Sequence, residues 1–171
     1  VPNAGPSEHS LGAIWGGTTT VVDFAPVPNE GDLAAGIHDY ISQWQGNAYT
    51  DYSTHCIYSN SNTPDAISRY KELIDAGFPS IKIFTTDIWP AGSRPTSLTP
   101  IGKIDAGRLE DVMGQIARHG GVLAVHGEDD ELVMYNYMLA QQRGHWDWYN
   151  VHLIHSKTVE DLAFRSVLRL A

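Results

Sequence analysis

The sequence predicts a parallel α/β fold. Three observations carry the expectation. Short β-branched or apolar runs alternate with stretches of helical periodicity, helix-like stretches open on capping residues and close on glycine, and the strand runs are apolar nearly throughout. Continuously apolar strands belong to sheets covered by helices, the usual setting of parallel strands. An open doubly wound sheet and a (β/α) barrel would both produce this pattern.

The elements follow in order. "TTTVVDFA" (18–25) is the first strand, short and β-branched, with a Gly-Gly pair before it. "GDLAAGIHDYISQW" follows, with Leu33, Ile37, Tyr40, Ile41 and Trp44 at helical spacing. "TDYSTHCIYS" (50–59) reads as the second strand. In "TPDAISRYKELIDAG", Thr63 suits the N-cap, Pro64 the first turn and Gly77 the stop, which predicts one helix. "SIKIFTT" is the third strand, and the polar stretch "DIWPAGSRPTSLTPIGKI" is a loop running from its end. "DAGRLEDVMGQIARHG" is a helix capped by Asp105 and closed by Gly120, and "GVLAVHGE" (121–128) is the fourth strand. "DDELVMYNYMLAQQ" and "SKTVEDLAFRSVLRLA" are the last two helices. No glycine-rich phosphate loop is present, because the Gly-Gly pair precedes a strand instead of joining a strand to a helix. A parallel unit normally returns to another strand. Ending on a bare helix therefore suggests an incomplete chain.

Composition narrows the function. The 171 residues are 42% hydrophobic, enough for the core of one domain, and carry a formal net charge of −9. An acidic chain argues against nucleic acid or an anionic membrane as a partner, since both need a basic face. No apolar run approaches the roughly 20 residues of a membrane span. Cys56 is the single cysteine, which excludes an internal disulfide and fits a reducing, cytoplasmic setting.

Lys82 is the residue that raises a chemical question, because it interrupts the apolar run Ile81, Ile83, Phe84. A strand lysine can pack its stem and send its ammonium to the surface. Alternatively, burial lowers its pKa and frees the amine to form a Schiff base or to take up CO2 as a carbamate. His126 closes the strand "VLAVH", and C-terminal strand ends carry the site in parallel α/β folds. It suits metal binding or proton transfer, against the alternative of a core histidine bonded to a carbonyl. Asp23 and His55 read first as strand residues satisfied by local hydrogen bonds, with His55 a candidate for a supporting or substrate contact. His152 and His155 in "HLIH" make a weak metal motif. In "GEDDE" the acids read as helix-entry charge, with Glu128 as the candidate supporting residue.

Taken in order, "GGTTTVVDFA", "DYSTHC", "GFPSIKIF", "GGVLAVHGEDDELV" and "VEDLAFRSVLRLA" resemble the cyclic amidohydrolases, the family of dihydropyrimidinases, hydantoinases and allantoinases. The most specific part is a glycine, two residues and Ser-x-Lys-x-Phe, followed about forty residues later by His-x-Glu at a strand end. The resemblance implies a TIM-type (β/α)8 barrel, of which residues 1–171 would form part of one domain, about strands two to five. It implies two divalent metal ions, usually zinc, bridged by carboxylated Lys82 and bound by His126. It also implies a metal-activated hydroxide attacking a small cyclic amide or ureide, and a homodimer or homotetramer.

The departures matter equally. The family's His-x-His pair would precede "GGTTT", and no His-x-His occurs. Its later histidine and catalytic aspartate would follow the last helix, so no catalytic residue is assigned here and the piece alone is expected to be inactive. Asp87 stands where a substrate-binding tyrosine is common, making Asp87 a candidate substrate contact, and "HGEDDEL" replaces the usual His-Ala-Glu-Asn. Two other readings compete: a non-catalytic scaffold of the same fold, and an α/β protein using Lys82 as a Schiff-base amine.

Overall fold

A computed structural model describes residues 5–87, 102–145 and 147–171. Four strands, β1 (Thr20–Pro26), β2 (Asp51–Ile57), β3 (Ser80–Phe84) and β4 (Val122–His126), form one parallel sheet in the order β1-β2-β3-β4. Helices α1 (Pro6–Trp15), α2 (Leu33–Ser42), α3 (Pro64–Ser68), α4 (Tyr70–Asp75), α5 (Ala106–His119), α6 (Asp130–Gln142), α7 (Val151–Ile154) and α8 (Lys157–Leu170) complete the described chain, with a 3-10 turn at Trp148–Asn150.

Strand register separates two faces. Ala25, Cys56, Ile81 and Ile83 point to one side and pack with Leu33 and Ile37 of α2, Ile67 of α3, Tyr70 and Leu73 of α4, and Leu109 and Val112 of α5. Each of these is at most 4% exposed, so this is the core. Alternation then sends Val22, Phe24, His55, Lys82, Phe84, Val122 and His126 to the opposite face, where Val22 and Val122 remain exposed. Strands that follow each other in sequence and in space, with the packed helices on one side, make a singly wound sheet. A doubly wound sheet would reverse its strand order and carry helices on both faces. The ambiguity left by the sequence resolves toward the barrel arrangement.

Side-chain caps fix the helix starts as their chemistry predicts. Asp32, Thr63, Asp105 and Asp129 accept from the backbone N–H of Ala35, Ala66, Arg108 and Leu132 at 2.9, 3.2, 2.9 and 3.0 Å. Three details differ from expectation. The helix foreseen over 63–77 is divided at Arg69, where Glu72 N–H bonds the Arg69 carbonyl in an i to i+3 step. Arg69 there ties its guanidinium to the Gly31 carbonyl and to Glu72. The second helix stops at Ser42, leaving Trp44 in the following turn but 1% exposed. Helix α1 was not foreseen, although Pro6 at its first position is a start signal. Most of the loop expected after β3, residues 88–101, lies outside the described residues.

Candidate active site at the strand ends

Strands β2, β3 and β4 bring His55, Lys82 and His126 to the inner face, and the turn after β4 adds Glu128. Lys82 pairs with Ala124, and His126 with Phe84 two residues further toward the C-terminal end. The Lys82 amine sits 4.5 Å from the centroid of the Phe84 ring and 5.8 Å from that of Phe24. Apolar surroundings disfavour its charge, so burial lowers its pKa. His55 stacks on Phe24 and places Nδ1 2.5 Å from the Ser80 hydroxyl. Its pKa is lowered by burial first and by the Lys82 charge second.

Glu128 is 7% exposed, and each carboxylate oxygen has an imidazole partner. Oε2 lies 2.6 Å from His126 Nε2 and Oε1 2.5 Å from His155 Nδ1. Burial alone would raise the carboxyl pKa, but the hydrogen bonds from His126 and His155 pull harder and the net shift is downward. Glu128 N–H donates to the Thr85 hydroxyl at 2.8 Å, which anchors the turn to the end of β3. The carboxylate is an acceptor only, so Nε2 of His126 carries a proton, and in the neutral ring Nδ1 keeps a lone pair.

The other singled-out residues are placed elsewhere. Asp23 faces the helices and accepts from the Trp44 indole N–H at 3.2 Å, the local hydrogen-bonding role. Asp87 closes the base of the loop: its Oδ1 accepts from Lys103 N–H at 2.9 Å, and its own N–H donates to Asp130 Oδ1 at 3.0 Å. Asp130, read as helix-entry charge, also pairs with the Lys103 ammonium. His152 bonds the Tyr149 carbonyl and meets the Tyr149 ring edge-on, away from the other histidines of the site. His155, singled out in the sequence only as half of a weak metal motif, bonds Glu128 instead, a partner 27 positions away that no local pattern announces.

The donors fit a metal centre as contributors to it. A lysine whose burial favours the neutral amine is suited to carboxylation, and a histidine with a free Nδ1 lone pair stands on the next strand. Among the described residues no group of three His, Cys, Asp or Glu side chains could hold a metal ion. Lys82 and His126 would therefore be part of a centre and not its whole.

Comparison with known proteins bears on the fold and the family. No protein-family model matches the chain. A D-hydantoinase of Streptomyces coelicolor is 30% identical over 117 residues, 68% of this chain and 22% of the relative. A D-hydantoinase of Geobacillus stearothermophilus is 28% identical over 142 residues, 81% of this chain and 27% of the relative. The chain thus spans about a quarter of the curated relatives it matches. A solved D-hydantoinase superposes with a TM-score of 0.79 at 23% identity, and the dihydropyrimidinase of Brevibacillus agri with 0.78 at 20%. Each covers 97% of this chain, which covers 34% of theirs. The four-stranded parallel sheet is accordingly part of a TIM-type barrel, and the chain belongs to the cyclic amidohydrolase family of hydantoinases and dihydropyrimidinases.

Proposed function

We propose that the protein containing this chain hydrolyses a C–N bond of a small cyclic amide or ureide. The observation that carries the reading is the placement of Lys82, midway along β3, and His126, the last residue of the adjacent parallel strand β4, on one face. Lys82 would be carboxylated: its neutral amine adds to CO2, the new N–C bond forms, and a proton leaves to solvent. The resulting carbamate and His126 Nδ1 would hold two divalent metal ions, zinc by resemblance. Such ions supply an activated water and a polarised substrate carbonyl.

The chain's own residues prepare this arrangement. Phe24 and Phe84 keep the Lys82 amine in apolar surroundings, which favours its neutral form. His55, bonded to Ser80 and stacked on Phe24, fills the space beside Lys82 and supports it. Glu128 orients the His126 ring. Asp87 spends Oδ1 on the Lys103 N–H, and its other carboxylate oxygen would be the candidate substrate contact. Residues 1–171 would be one part of a barrel domain in a cytoplasmic homodimer or homotetramer, and among the described residues no helix is long and apolar enough to cross a membrane.

The test is hydrolysis of hydantoin and dihydrouracil by the full-length protein, with and without a chelator, for wild type and Lys82→Ala. Turnover that disappears with the chelator and with the substitution is expected. Unchanged turnover and metal content in Lys82→Ala would overturn the assignment, and a wild-type protein with neither metal nor turnover on any cyclic amide would favour the non-catalytic scaffold.

A further inference from the structure

His155 lies outside the proposed ligand set, yet it completes an unbroken polar path to His126. The Tyr137 hydroxyl stands 3.2 Å from His155 Nε2, His155 Nδ1 stands 2.5 Å from Glu128 Oε1, and Glu128 Oε2 stands 2.6 Å from His126 Nε2. We infer that His155 is a positioning residue: acting through Glu128, it fixes the tautomer and ring orientation of His126.

Each link follows from the one before. Glu128 can only accept, so His155 places its proton on Nδ1 and takes the Tyr137 O–H at Nε2. That bond engages one carboxylate oxygen and leaves the other aimed at His126. Thr85 holds only the backbone of Glu128, through its N–H and its carbonyl at 2.8 and 2.7 Å. The direction of the carboxylate therefore rests on the two imidazoles. Remove His155, and the Glu128 side chain keeps a single tether, to the ring it is supposed to steer. The Glu128 side chain is 10% exposed, so little water can replace the lost donor. Elements far apart in sequence, α6 through Tyr137 and the end of α7 through His155, thereby set a side chain at the end of β4.

The consequence for metal binding rests on the function proposed above; the geometry does not. In the full-length protein, stripped of metal and held at a pH where the nitrogen shifts themselves report neutral rings, long-range nitrogen–proton NMR correlations report each histidine tautomer. Wild type should show His126 protonated on Nε2 alone. His155→Ala should give a mixture of tautomers, and His155→Asn, whose amide N–H can replace the Nδ1 donor, should restore most of the single form. Zinc affinity measured by chelator competition should fall about 10–100-fold in His155→Ala and recover in His155→Asn, as for other partners that orient ligand histidines. A single, unchanged Nε2–H tautomer in His155→Ala would overturn the inference. A changed tautomer with unchanged zinc affinity would uphold the positioning role and overturn the assignment of His126 as a ligand.

Discussion

His55 holds its Nδ1 2.5 Å from the hydroxyl of Ser80, and Ser80 lies two residues before Lys82 on the same face of β3. The imidazole is thereby both desolvated and close to a cation.

The first consequence is a low titration midpoint. In metal-free protein, NMR should place His55 below its ordinary 6.5. Replacing the cation in Lys82→Met should raise the midpoint only part of the way, because burial is the larger cause. The linkage sign follows. Between the folded pKa and 6.5 the unfolded chain binds the proton and the folded one does not, so stability is full above this window and is lost as pH falls through it. Urea unfolding should show that slope for wild type and a flatter one for His55→Gln. A midpoint at or above 6.5 would contradict the geometry.

Lys82→Arg separates charge from chemistry. Arginine keeps a cation that can stack on Phe84, but it stays protonated and cannot add CO2. The fold should persist by circular dichroism while metal content and turnover collapse. The loss should exceed the ~100-fold upper range seen when a supporting partner of a ligand is removed. Retained turnover in Lys82→Arg would exclude the carbamate.

Asp23 offers the opposite contrast. It is a strand carboxylate like a site residue, but it faces the helices and holds the Trp44 indole. Asp23→Ala should cost about 1–3 kcal/mol in urea unfolding by leaving a buried N–H unpaired. Zinc content should not change. A loss of metal without a loss of stability would place Asp23 in the site instead.

These cases show what the sequence could carry. Local signals were legible: the caps Thr63 and Asp105, the stops Gly77 and Gly120, and the apolar strand runs all depend on neighbours within a turn. Lys82 stood out because a cation in an apolar strand is anomalous without any structure. The Glu128–His155 bond left no such mark, since it joins a turn to the end of a four-residue helix across 27 positions. Asp130 does stand in the first turn of α6, as helix-entry charge should, and carries a second role besides. An acid at a helix start has a sufficient local explanation, which hides its long-range pairing with Lys103. Helices and strands follow from periodicity; strand order, and side-chain networks across the strand ends, depend on the turns that bring distant segments together.

Gly121 gives the sharpest test of the packing itself. It adopts φ +130°, and an added Cβ would lie 2.1 Å from the Tyr70 hydroxyl and 2.6 Å from the Pro79 carbonyl oxygen. The crowding has a structural purpose. Tyr70 donates to Pro79 O at 2.9 Å, and Val122 N–H reaches the same oxygen at 3.0 Å, so the start of β4 is sewn to the turn before β3. Gly121→Ala should therefore cost about 1–3 kcal/mol from backbone strain alone, read as a lower urea midpoint. Adding Tyr70→Phe should recover only part of the loss, because the Pro79 carbonyl and the positive φ remain. Gly114, inside α5 with nothing within 4 Å of its would-be Cβ, is the control. There Gly114→Ala should stabilise by roughly 0.5–1 kcal/mol, the helical preference of alanine over glycine. Equal effects at the two glycines would mean that the junction between β3 and β4 is not packed as described.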